Sequence, residues 1–116
     1  MYKIRNSKQY DLEDRTYNFA KNCRDFVKQI PLKITSYEYL KQLMRSSGSV
    51  AANYIEANEA LSKKDFKHRI KICRKEAKES TLWLRLIITN NEVKEVLIKE
   101  SIEIMKIFGA ILQKCK

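Results

Sequence analysis

The chain has 116 residues, 44% hydrophobic and 33% charged, with only two glycines and one proline. That length suits one domain with its own core, and the scarcity of breakers excludes turn-rich or linker-joined architectures in favour of long amphipathic helices. The formal net charge of +10 points to acidic partners (nucleic acid, an anionic membrane surface or an acidic protein), with a merely solvated basic surface weighing equally.

The opening "MYKIRNSKQYDLEDR" is polar and carries no apolar signal region, and no stretch approaches a membrane span. A cytoplasmic location without a membrane partner is therefore expected. The first helix is predicted over 11–30, with Asp11 capping its free N–H groups. Its apolar spacing alternates four and three residues through Leu12, Thr16, Phe19, Cys23, Phe26 and Ile30, and Pro31 ends it. The second helix, 36–61, is expected to open on a capping box formed by Thr35 and Glu38. Its inner stripe is Leu40, Leu43, Ser47, Val50, Tyr54, Ala57 and Leu61. Gly48 costs about 1 kcal/mol there against alanine. Its small neighbours Ser46, Ser47, Ser49, Ala51 and Ala52 suggest that another helix approaches closely.

The third helix, 63–89, repeats the capping spacing with Ser62 and Asp65, and its core positions are Phe66, Ile70, Cys73, Ala77, Ser80, Leu84 and Ile87. Asn90 and Asn91 break the run. The fourth helix, 92–114, carries Val93, Leu97, Ser101, Ile104, Phe108, Ile111 and Cys115. Four such seams with short connections predict an all-α fold, an antiparallel up-down-up-down four-helix bundle. The three cysteines follow no metal or disulfide spacing, and Cys23 and Cys73 serve as small core hydrophobes.

A helical wheel divides the third helix into three faces. Opposite its core stripe lies a basic ribbon of Lys64, Lys67, Lys71, Arg74, Lys75 and Lys78. Between them runs a mixed stripe of Arg69, Ile72, Glu76, Glu79 and Trp83, a composition suited to a protein–protein contact. Met44, Ala51 and Ile55 widen the apolar arc of the second helix, and Ile98, Ile102 and Met105 do so on the fourth. A homo-oligomer is expected, with Arg69, Ile72, Glu76, Glu79, Trp83, Ile98 and Ile102 at its interface.

The stretch "LMRSSGSVAANYIEANEALSKKDFKHRIKICRKEAKESTLWLRLI" resembles the four-helix-bundle proteins of the 23S rRNA intervening-sequence family. The motifs that carry the resemblance are Arg45-Ser46-Ser47-Gly48-Ser49-Val50, Ala52-Asn53, Glu56-Ala57, Lys64-Asp65-Phe66 and Lys75-Glu76-Ala77-Lys78-Glu79. "NSKQYDLEDRTYNFA" is similar to the family's first helix. The resemblance implies a bacterial all-helical protein, typically a ring-shaped homopentamer, with no established enzymatic activity. Some members are encoded within insertions in rRNA genes. A distant relative, the accessory protein of diversity-generating retroelements, is a basic pentameric bundle that associates with nucleic acid and reverse transcriptase.

No catalytic constellation stands out. Glu56/Glu59 and Glu76/Glu79 invite comparison with a di-metal bundle, but that site needs Glu-x-x-His pairs aimed into the core. The single histidine, His68, follows no glutamate at that spacing, and by the wheel Glu76 and Glu79 flank the core. Arg45, Asn53 and Glu56 are placed to hydrogen-bond across helices, and Arg69 to pair with Glu76 or Glu79. Neither Gly48 nor Gly109 starts a phosphate loop. No metal, cofactor, small-molecule substrate or enzymatic activity is expected.

The basic ribbon is the functional lead. Residues 62–78 hold eight Lys or Arg against Asp65 and Glu76. Such an array neutralises successive phosphates of RNA or DNA but reads little sequence. Tyr37 and Tyr39 are the expected exposed stacking partners, with Tyr54 in the core. In a pentamer the charge of one chain would sum to about fifty. The alternatives are an adaptor with an acidic protein partner, and a selfish-element passenger without a specific ligand.

Overall fold

The computed structural model describes the backbone of residues 7–115 and the side chains of 12–115. Four helices occupy it: α1 (Ser7–Gln29), α2 (Ile34–Asn58), α3 (Lys63–Leu86) and α4 (Val93–Lys114). No strand occurs among the described residues. The helices close a ring of neighbours, α1 on α2, α2 on α3, α3 on α4 and α4 back on α1. The predicted 3-4 stripes meet in the middle. Phe19, Phe26, Leu40, Leu43, Val50, Ile70, Leu84, Ile104 and Phe108 are all buried there. Cys23 and Cys73 are free and buried, and burial pushes both thiols up to about 12, which keeps them protonated and inert.

Helix ends depart from expectation more than helix faces do. Ser7 to Tyr10 are already helical, so Asp11 does not start α1; its side chain, and any cap it makes, lies outside the described residues. The Thr35/Glu38 capping box does not form. Lys33 is the extended N-cap residue, and its carbonyl accepts from the amides of Ser36 (3.0 Å) and Tyr37 (2.9 Å), so Thr35 already lies inside the helix. Helix α2 stops at Asn58, because the amides of Glu59 and Ala60 turn back onto the carbonyls of Glu56 and Ala57. Leu61 is consequently 79% exposed, and Ala60 is buried in its place.

Ser62 behaves as predicted: its hydroxyl accepts the Asp65 amide at 3.1 Å. Helix α3 ends at Leu86, three residues early, with Ile87 extended yet fully buried. The Lys94 ammonium donates to the freed Ile87 carbonyl at 2.6 Å. Asn91 then accepts the Val93 amide at 2.9 Å and so caps α4.

The α2/α3 seam holds the polar residues of the mixed stripe. Arg45 grips the Glu76 carboxylate with two nitrogens, at 2.9 and 3.3 Å, and reaches Glu79 at 3.1 Å. Glu76 is only 6% exposed, so it fills the seam instead of flanking it. One turn away the hydroxyls of Ser46 and Ser80 meet at 2.7 Å, buried. This is where the small residues of α2 allow close approach. Gly48 does not serve that purpose, since a β-carbon there would meet nothing within 4 Å. On the far side of α3, Thr81 bonds Ser101 of α4 at 2.6 Å. The α1/α4 contact is bridged by Arg15 and Glu100 at 2.7 and 2.8 Å, beside an open groove of about 570 Å³.

Burial pushes the Glu76 carboxyl upward, but the hydrogen bonds from Arg45 and Ser49 and the charge of Arg45 outweigh it and hold the group below its ordinary value. Its stabilising contribution is therefore present above the ordinary carboxylate pKa and lost as pH falls through the lowered one. Arg45→Ala removes the charged partner and leaves burial opposed by the Ser49 hydrogen bond without a cation. We expect it to cost about 2 kcal/mol at neutral pH, less than for a fully enclosed pair because the Arg45 side chain is 50% exposed. The difference from wild type should shrink as pH drops through the carboxylate range, which urea unfolding at several pH values would measure. The same assay should show Ser62→Ala costing about 1 kcal/mol, whereas Thr35→Ala changes stability by less than about 0.5 kcal/mol.

Candidate nucleic-acid interface

Helix α3 carries the ribbon because its other sides are occupied. Ile70, Cys73 and Ala77 face the core, and Glu76 and Ser80 face α2. What remains outward is cationic. Lys64, Lys71, Arg74, Lys75 and Lys78 are exposed and Lys67 is half-buried. At 1.5 Å per residue, Lys64 and Lys78 stand roughly 21 Å apart along the axis. None of the six makes an ion pair among the described residues. Glu76 and Glu79, on the neighbouring side of the helix that faces α2, are both drawn to Arg45. The Glu76 hydrogen bond in turn raises the pKa of the Arg45 guanidinium, against the lowering effect of its partial burial.

Arg74 sits at the edge of the ribbon against α4. Its Nε lies 3.8 Å from where a β-carbon on Gly109 would stand, so the side chain reaches over the neighbouring helix within van der Waals contact. His68 is exposed beside the lysines. Among the described residues no group of three His, Cys, Asp or Glu side chains has the placement to hold a metal ion. No described helix is long and apolar enough to cross a membrane.

The seven residues expected at a subunit contact do not share one face. Arg69, Glu76, Glu79 and Trp83 lie along the α2/α3 seam, whereas Ile98 and Ile102 are half-buried on α4. Arg69 donates to Asn53 at 2.9 Å and not to Glu76 or Glu79, whose oxygens Arg45 already holds. Trp83 stacks on Tyr39 with ring centroids 6.1 Å apart. That contact half-buries Tyr39 and withdraws it from the exposed aromatics, leaving Tyr37. The indole N–H of Trp83 is buried with no hydrogen-bond acceptor among the described residues. Ile72 is half-buried between seam and ribbon, and Glu56 stays exposed.

Two features escaped the sequence reading. Arg45 was placed only as a generic cross-helix donor, although an arginine beside the small-residue run of α2 was the one cation able to meet a carboxylate on the inner edge of α3. Leu82 and Leu86 are exposed beyond Lys78. Their wheel position, continuing the outward face of α3, would have marked them.

The chain as a whole is similar to known proteins. The family model described as 23S rRNA-intervening sequence protein matches residues 8–114. The chain is also similar to a crystal structure of a protein with unknown function from the S23 ribosomal protein family of Bacteroides thetaiotaomicron. The two share 32% sequence identity over 91% of this chain and 98% of that one, with a TM-score of 0.81. No curated protein matches. With nearly its whole length matched by the family model and its four helices shared with that neighbour, the chain belongs to the 23S rRNA-intervening sequence protein family.

Proposed function

We propose that this protein is a non-catalytic, homo-oligomeric helical bundle that binds RNA or DNA through the basic face of α3. The observation that carries this reading is the set of six ribbon cations without an ionic partner among the described residues, on a helix whose own glutamates Glu76 and Glu79 are engaged by Arg45 on another side. Unpaired like charges along one rod repel one another, and a polyanion relieves that repulsion while releasing its own counterions. Lysines dominate the row, so the contacts are to phosphates and carry little sequence readout.

Support for self-association comes from side chains that a lone bundle leaves in water. Met44 and Ile55 on α2 are exposed on either side of the open position at Gly48. Ile72, only half-buried, lies on the neighbouring side of α3. A ring of five copies is the form that the resemblance implies. The same reading takes adjacent helices to run in opposite directions. It is supported by the pairs Tyr39–Trp83, Arg45–Glu76 and Asn53–Arg69, whose numbers fall along α3 as they rise along α2.

A second reading, an acidic protein partner, draws on Leu82 and Leu86, which add an apolar edge to the same cationic face. The two readings part on salt. Binding to nucleic acid should fall steeply as salt rises, whereas a protein contact anchored by leucines should survive it.

Reversing three charges together, Lys71→Glu, Arg74→Glu and Lys78→Glu, should abolish nucleic-acid binding measured by fluorescence anisotropy at physiological salt, with helicity and assembly mass retained. Undiminished affinity would remove α3 from the interface. Ile55→Asp combined with Met44→Asp should lower the mass measured by light scattering without loss of helicity. An unchanged mass would place the subunit contact elsewhere.

A further inference from the structure

We propose that the basic face is built for a double-stranded nucleic acid and continues from α3 across its seam with α4, where Arg74, Lys78 and Lys106 form one cationic node. This rests on the nucleic-acid reading above and adds to it a ligand class and a contacting residue on a second helix.

Lys106 is exposed on α4, one turn before Gly109. Two contacts fix how α3 and α4 lie along each other: the Thr81–Ser101 hydrogen bond, and the approach of Arg74 to Gly109. Between those points Lys106 stands level with the turn of α3 that holds Lys78. Three cations from two helices thus share one level of the bundle, and none makes an ion pair among the described residues. The nearby carboxylates are engaged elsewhere. Glu103, one turn before Lys106, lines the α1/α4 groove with Arg15 and Glu100. Glu76 and Glu79 are bound to Arg45 on the side of α3 that faces α2. Packed helix axes stand ~8–10 Å apart, so the node broadens the single row of α3 into a surface able to meet phosphates on both sides of a groove.

The choice of duplex follows from what the face lacks. Single strands are held by aromatic platforms that stack the bases, with charge in a supporting role. Both large aromatic side chains of α3 are otherwise occupied, Phe66 packed on the core and Trp83 on Tyr39. The outward row from Lys64 to Lys78 is mainly flexible lysine, with His68 and the Arg74 guanidinium its planar groups and no Phe, Tyr or Trp among them. A duplex needs none: it presents one negative charge per ~1.7 Å of its axis, so a straight row of cations always faces several phosphates.

The test is a salt titration of the full chain by anisotropy with duplex RNA, duplex DNA and a single strand carrying the same number of phosphates. A duplex of either kind should bind at least about tenfold tighter than the single strand. Lys106→Ala should weaken duplex binding several-fold and reduce the slope of log K against log salt by about 0.9, the share of one phosphate contact. Lys41→Ala, which removes an exposed cation of α2, should leave the slope unchanged. A single strand binding as tightly as the duplexes overturns the ligand class. An unchanged slope in Lys106→Ala overturns the extension onto α4, and if the triple reversal on α3 still abolishes binding, the broader nucleic-acid reading stands. Should the triple reversal leave binding intact, both fall together.

Discussion

A carboxylate almost closed off from water must be met by a cation or a proton, and at Glu76 it is met by Arg45. The rest of α3 is arranged around that bond. Two nitrogens of one guanidinium on two oxygens of one carboxylate tolerate little sliding, so the pair sets where α2 and α3 stand along each other. The contacts on either side agree with the same alignment: Trp83 stacks on Tyr39, Ser80 meets Ser46 and Arg69 finds Asn53. A shift of one helical turn would break all four at once. Apolar packing alone specifies such a register less sharply, because one leucine in a groove resembles the next.

The same bond decides how charge is distributed. Helix α3 contains Glu76 and Glu79 in its middle, and on an isolated helix Glu79 could pair with Lys75 four residues before it. Arg45 draws both carboxylates toward α2, and Glu79 away from Lys75. The α1/α4 side is mixed by comparison, with Asp14, Glu100 and Glu103 facing Arg15 and Lys99 around its groove. The net charge of +10 is therefore concentrated where the acids have been turned inward. A helix that sequesters its own anions leaves a face that only an external anion can neutralise.

The helix faces were legible in the sequence because burial follows a 3.6-residue period that composition displays directly. Ile70, Cys73, Ala77, Ser80 and Leu84 are buried in the order their spacing predicts. Ends were less legible. The Thr35/Glu38 and Ser62/Asp65 pairs look alike as strings, yet only Ser62 caps, since the extended approach through Lys33 starts α2 two residues too early for Thr35. Leu61 continues the period of α2 but lies past a turn that backbone bonds at Glu59 and Ala60 impose. At Glu76 the wheel placed the side chain within a few tens of degrees of its true direction. That margin separates a rim position from a buried one, and only the depth of the seam decides between them. Gly48 was misread for a related reason: a small-residue run identifies a close approach without saying which member makes it, and Ser46 does.

The hydroxyls near the core explain how a helix so heavily charged on one side can be held so firmly on the others. Thr16, Ser80 and Ser101 each satisfy themselves on a carbonyl of their own helix, at 3.0, 2.9 and 2.8 Å. Such residues can be buried without an orphaned donor, and their small size lets neighbouring backbones approach. Ser80 then shares a bond with Ser46 on one flank, and Thr81 with Ser101 on the other. Consecutive residues of α3 are thereby tied to two different helices at the same level of the bundle. The cations stem from a backbone that two neighbours immobilise, so ordering that backbone adds nothing to the cost of binding, and only side-chain freedom is lost. A rod fixed in this way complements a ligand that is itself stiff. It has little to offer a chain that must be bent and stacked residue by residue.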